Sequence, residues 1–153
     1  MNPVLLVTGG SRGIGAATAL LAARRGFSVA VNYSANQAAA DAVVAEIRAG
    51  GGSAISVQAD VADEPQVMAM FRHIDATLGR LGALVNNAGV VDQAARLDQM
   101  DGPRIRRMFG INLLVSLMCA REAVRRMSTR HGGPGGAIVN LSRAAARLGG
   151  AGQ

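Results

Sequence analysis

Residues 8–15 read Thr8-Gly9-Gly10-Ser11-Arg12-Gly13-Ile14-Gly15, a glycine-rich stretch of the kind that binds phosphate. Glycine lets the main chain turn tightly and come close to a pyrophosphate. A helix that starts within the turn adds free backbone N–H donors and the positive end of its dipole. The spacing is Gly-x-x-x-Gly-x-Gly, and the candidate contacts are Gly9, Ser11, Arg12, Gly13, Ile14 and Gly15. Such a turn can be purely structural, but here an apolar strand, Val4-Leu5-Leu6-Val7, precedes it and a helical segment follows. Further along, Asp60-Val61, Asn86-Asn87-Ala88-Gly89, Asn112 and Ser142 supply carboxylate, amide and hydroxyl groups. The first three have plain alternatives. Asp60 would cap a turn, Asn86 and Asn87 would hold a loop through bonds to backbone, and Asn112 would be a buried residue at a helix kink.

Charge bears on which dinucleotide would fit. An acidic residue at the end of the second strand hydrogen-bonds the ribose 2′-hydroxyl of NAD and repels a 2′-phosphate. That strand ends Val31-Asn32-Tyr33-Ser34 without a carboxylate, which makes Asn32 a candidate contact. Arg12, inside the glycine turn, is placed to meet a 2′-phosphate with a charge-assisted bond. Both features favour NADP over NAD.

These residues need a scaffold of alternating elements, and the hydrophobic pattern supplies one. Strands are expected at Val4–Val7, Ser28–Asn32, Ser53–Gln58, Ala83–Val85 and Ala137–Leu141. Helices are expected from Gly13 to Arg25, up to about Ala49, after the capping residue Asp63, and as one long helix from Pro103 to Met127. Strands and helices in this alternation predict an α/β, Rossmann-type doubly wound parallel sheet of about five strands, in a single domain spanning residues 1–153.

Half of the residues are hydrophobic and only 3% are aromatic, so the core has to be built from Ala, Val, Leu, Ile and Met. No apolar run reaches the roughly 20 residues needed to cross a bilayer, and the start of the chain lacks a secretory pattern, so a cytoplasmic protein is expected. Cys119 is the only cysteine and falls in an apolar helical pattern, which predicts a buried, inert thiol and no metal site. The net charge of +6 raises nucleic acid as a partner. Against it, every basic residue is Arg, and the cluster from Arg104 to Arg130 follows a helix with no interleaved aromatics, as on a solvated or subunit-facing surface.

Taken in order on these elements, the four motifs resemble those of the short-chain dehydrogenases/reductases, and the resemblance covers the whole chain. It implies that Thr8 to Gly15 holds the cofactor, that Asp60-Val61 contacts the adenine ring, and that Asn87, Ala88 and Gly89 line the cofactor site. Asn112 matches the helical asparagine counted among the family's catalytic residues. The implied activity is hydride transfer between NADP(H) and a small carbonyl or alcohol. In the family a serine beyond the fifth strand bonds the substrate oxygen, and a Tyr-x-x-x-Lys helix supplies the proton, the lysine helping to lower a tyrosine pKa that starts near ~10.

This chain departs from that pattern. It has no lysine, its one tyrosine is Tyr33, and His73 and His131 fall on a helix and in a glycine-rich turn, away from the strand ends. The family's Ser-Ser pair reads Ser142-Arg143, which puts Arg143 at the catalytic serine's position; Ser142 would substitute only if the strand end slipped by one residue. The expectation is therefore a C-terminally truncated oxidoreductase, inactive as it stands and marginally stable because its fifth strand is an open edge. When whole it would form a homo-oligomer, for which the long helix is a candidate contact. The alternatives are a non-catalytic NADP-binding or interaction module, or a decayed remnant.

Overall fold

The computed structural model describes residues 2–90 and 93–142. Its elements, in chain order, are β1 (Val4–Val7), α1 (Gly13–Arg24), β2 (Ser28–Tyr33), α2 (Gln37–Ala49), β3 (Ala54–Gln58), α3 (Glu64–Thr77), β4 (Leu81–Asn86), α4 (Gly102–Phe109), α5 (Val115–Met127) and β5 (Ala137–Asn140). The strands form one parallel sheet in the order β3-β2-β1-β4-β5.

Side chains alternate across this sheet, so each of β1 to β4 feeds two cores. Val4 and Leu6 of β1 face α3 and α5 and pack with Leu81, Leu84, Met70, Phe71, Ile74 and Cys119. Leu5 and Val7 face α1 and α2 and pack with Ala19, Val29, Val31, Val43, Val44 and Ile47. Burial on both faces explains why the strands read as continuous apolar runs, and why small residues such as Ala19 and Ala40 serve where a helix lies close on the sheet.

Because β1 lies between β2 and β4, the winding reverses direction there. The loops after β1 and β4 diverge to opposite faces and leave a crevice at the carboxyl ends of the two strands, the usual ligand position in an open parallel sheet.

Two elements differ from the sequence expectation by more than one residue. β4 starts at Leu81, ahead of the expected Ala83, because Leu81 pairs with Val4 across a register shift. The expected single helix from Pro103 to Met127 is divided: α4 and α5 are joined by a π-helical turn, Gly110–Leu114, in which one extra residue is accommodated. None of the helices among the described residues is long and apolar enough to cross a membrane.

Candidate functional site

The glycine turn leaves β1 at Val7 and enters α1 at Gly13, and its shape depends on backbone that only glycine adopts readily. Gly9 and Gly13 have φ of +60° and +55°. Gly15 has ordinary dihedrals but no room: an added Cβ would press on the Gly9 carbonyl oxygen and come within 2.5 Å of Asn87 Nδ2. In front of Gly13, by contrast, a Cβ would meet nothing within 4 Å, so the outer face of the turn is open.

Among the α-helices that begin from a loop, capping sets α1 apart; α5, which continues from the π-helical turn Gly110–Leu114, has no side-chain cap either. Asn36, Asp63 and Asp101 cap α2, α3 and α4 by accepting from Ala39, Gln66 and Arg104 N–H, whereas no side chain caps α1. Its first N–H groups are thus available to an anion in the crevice. Arg12, the residue at the cap position, is exposed, as are Gly13 and Ile14, the latter to 67%. Ser11 is half-buried.

Asn87 and Thr8 lock the turn to the end of β4. Thr8 Oγ1 accepts from the N–H groups of Asn87 and Ala88, both at 3.0 Å, and Asn87 Nδ2 donates to the carbonyls of Thr8 and Gly9, both at 2.9 Å. Ala88 is half-buried against the core, and Gly89 lies exposed beyond it. Thr8 itself is fully buried. It is not among the contacts expected from the sequence, where its only signal is its place directly after an apolar strand.

Asn32 was named from the sequence as a candidate cofactor contact, and its side chain turns inward. It is buried behind the turn, where Oδ1 accepts from Gly9 N–H at 3.1 Å and Nδ2 lies 3.1–3.3 Å from the carbonyls of Tyr33, Val57 and Ala59. The side-chain partners are all backbone groups, so this buried side chain bears on a ligand through the loop it holds. Asp60 is exposed and takes the turn-capping role: Oδ1 accepts from Ala62 N–H at 2.9 Å, and the Asp60 N–H donates to Gln66 Oε1. The Val61 side chain is buried in the core, leaving only its backbone to face a ligand.

Asn112 sits on the π turn, where a π-bulge commonly marks a functional position. It is exposed rather than buried, and its amide grips Val90 from both sides, accepting from the N–H at 3.0 Å and donating to the carbonyl at 3.1 Å. That clamp fixes Val90, the residue directly after Gly89. Ser142 is exposed two residues beyond β5. The β4–β5 ladder runs in register from Ala83↔Ala137 to Asn86↔Asn140, and Leu141 N–H continues it onto the Asn86 carbonyl at 2.9 Å. Asn86 is buried and reinforces this junction, donating to Asn140 Oδ1 at 2.8 Å and to the Ser116 carbonyl. The amide pair was legible only as two asparagines at strand ends. Arg143 lies outside the described residues.

The site candidates therefore share the carboxyl edge of the sheet: the glycine turn with Asn87–Gly89 at its centre, Asp60–Val61 on the β3 side, and Asn112 and Ser142 on the β4–β5 side. Away from it, burial and then the Glu122 carboxylate push the Cys119 thiol up to about 12, in keeping with the inert thiol expected from the sequence.

Comparison with known proteins points the same way. The family described as short chain dehydrogenase matches residues 3–153. The uncharacterized oxidoreductase YgfF of Escherichia coli (strain K12) is 50% identical over 150 residues, covering 98% of this chain and 61% of that protein. A 3-oxoacyl-[acyl-carrier-protein] reductase of Synechocystis is 40% identical over 98% of this chain and 59% of its own length. Among solved structures, a double mutant of the Serratia marcescens short-chain dehydrogenase/reductase superposes with a TM-score of 0.88 at 32% identity, covering 98% of this chain and 59% of that one. The chain thus spans about 60% of the length of the curated relatives it matches.

Proposed function

This chain belongs to the short-chain dehydrogenase/reductase family, and from that premise we propose that it forms the NADP-binding part of an oxidoreductase. Binding of a nicotinamide dinucleotide is the family's common property. The choice of NADP is the finer reading, and it rests on Arg12 and on the lack of a carboxylate at the end of β2.

The observation that carries the reading is the uncapped start of α1, opening onto the crevice beside β4. Its N–H groups, with the open face of Gly13, fit a pyrophosphate. Arg12 is free to swing towards a 2′-phosphate, and Asp60 and the Val61 backbone lie on the β3 side, where adenine would sit. The bound nicotinamide would supply hydride exchange with a carbonyl or alcohol. The chain's own share is to orient it: Ala88 and Gly89 would line the crevice and Asn112 holds Val90 in place, while Ser142, exposed two residues beyond β5, is the hydroxyl that would have to take the part of the family's serine.

Turnover by these 153 residues alone is not expected, because they contain no Tyr-x-x-x-Lys with which to move the proton. The same lack is the one observation that favours the second reading, a non-catalytic NADP-binding module. The whole protein is proposed to act on a small carbonyl or alcohol and to pair with a second copy. Phe109, Leu113, Leu117 and Val124 support that pairing with an exposed apolar stripe along α4 and α5.

The test is titration of the purified chain with NADPH and NADH. Saturable binding of NADPH, weakened at least about tenfold in Arg12→Ala while NADH binding changes little, is the expected result, given the strength of a charge-assisted bond. Equal affinity for the two dinucleotides would remove the NADP assignment, and no binding of either would remove the function.

A further inference from the structure

Asn32 has no direct part in the site just proposed, yet it touches both of its halves. The glycine turn hangs from β1, whereas Asp60 and Val61 follow β3, and β2 lies between those strands. At the carboxyl end of β2, the buried Asn32 amide accepts from Gly9 N–H on one side and donates to the Val57 and Ala59 carbonyls on the other. Ala59 is the residue directly before Asp60, and its own N–H donates to the Tyr33 carbonyl at 2.9 Å. The Asn32 carbonyl meanwhile accepts from Gly10 N–H at 2.8 Å.

We propose that Asn32 is a positioning residue that holds the phosphate turn and the adenine-side segment Ala59–Val61 in register, so that one dinucleotide can engage both. The proposal rests on the dinucleotide-binding reading for its purpose but not for its geometry. Only a carboxamide satisfies the pattern. Acceptor and donor must sit on one short, rigid group, and a buried partner left unpaired on either side is costly. Aspartate keeps the acceptor for Gly9 but sets a second oxygen against the Val57 and Ala59 carbonyls. Alanine loses both contacts.

Amide hydrogen exchange on the ligand-free chain reads the geometry. In Asn32→Ala, exchange at Gly9 and Ala59 should speed by at least about tenfold while Leu6 in β1 and Cys119 in α5 keep their rates. In Asn32→Asp, Gly9 should stay slow and only Ala59 should speed up. Unchanged rates at both positions, or acceleration shared equally with Leu6 and Cys119, would overturn the coupling; the aspartate variant decides the matter if the alanine variant does not fold.

NADPH titration of the same proteins reads the consequence. The Asn32→Ala dissociation constant should rise at least about tenfold at unchanged stoichiometry, because disturbed register lowers affinity whereas global unfolding lowers the number of sites. An unchanged constant would overturn the role in cofactor positioning. If the unaltered chain binds no NADPH, the function proposed above fails, and the exchange pattern still decides whether Asn32 joins the two segments.

Discussion

Gly15 and Gly13 stand two residues apart in the same turn but tolerate a methyl group for different reasons and to different degrees. At Gly15 the added Cβ meets the main chain of Gly9 and Gly10 and the Asn87 amide, and that amide is held by two carbonyls. Nothing there can swing aside. Gly15→Ala is expected to break the link between Thr8, Gly9 and Asn87 and to lower NADPH affinity more than Gly13→Ala does. At Gly13 the space is open and only the left-handed backbone is penalised, by about 1–2 kcal/mol. Parallel urea unfolding and NADPH titration of the two variants check this ranking, and a larger loss at Gly13 would contradict it. Cys119 offers a simpler check. With its thiol raised to about 12 and its side chain fully buried, it should resist alkylation at pH 8 in the folded chain and react once the chain is unfolded in urea. Glycine spacing revealed the turn because glycine's backbone freedom is local. The burial of Asn32 was not legible, because the carbonyls it serves arrive from β3 and the residue just after it, 25 and 27 residues later.

At the scale of elements, α5 is docked by charge as well as by apolar contact. Glu122 is buried, 2% exposed, and receives ion pairs from Arg121, Arg125 and Arg126 at 3.3, 2.8 and 3.0 Å. Arg126 also reaches Asp75 at 2.7 Å and lies 4.9 Å from the centre of the Phe71 ring, while Arg121 reaches Glu64, so α5 is tied to α3. Burial alone would raise the Glu122 pKa, but its bonds to Arg126, with the charges of Arg125 and Arg126 and the bond from Arg121, outweigh it and hold the carboxyl below its ordinary 4.5. A depressed carboxylate pKa stabilises the fold above the unfolded-state value, and that contribution is lost as pH falls from about 4.5 through the folded value. Glu122→Gln should cost about 1.5–3 kcal/mol at pH 7, a range suited to bonds made by a charged group. It should also flatten the fall in urea midpoint between neutral and acid pH; an unaltered pH slope would show that Glu122 does not carry it. The sequence displayed this helix as an arginine-rich face, and the spacing of Arg125 and Arg126 three and four residues after Glu122 was a usable sign of pairing. That the glutamate turns inward depends on α3 and could not be read from α5. The π turn was hidden for a similar reason: a shift of hydrogen bonding over five residues leaves no periodic trace in a pattern whose ends remain helical.

For the molecule as a whole, the parallel order was legible because Val-, Leu- and Ile-rich runs alternate with helical segments, but the two edges of the sheet proved unequal. At β3 the edge is guarded: Arg48 donates through both Nε and a terminal nitrogen to the Ala54 carbonyl, and Ser56 donates to Asp41. At β5, Ala137, Val139 and Asn140 are exposed, Val139 to 52%, and no further strand pairs with it among the described residues. An open apolar edge of this kind favours association. The melting temperature and sedimentation of the chain should accordingly depend on its concentration, and a monodisperse monomer with a concentration-independent transition would count against that. The position of β1 at the centre of the sheet also sets an order in time. Val4 pairs with Ser28 after an interval of 24 residues but with Leu81 only after 77, a closure that costs roughly 1 kcal/mol more in chain entropy. The contact of Thr8 with Asn87 spans 79 residues and exists only once β4 has joined. The crevice is thus expected to form late in folding, after the local helices and the β1–β2 pair. A dinucleotide that recognises it has nothing to grip on the early chain, and would prolong the life of the folded state without hastening its arrival.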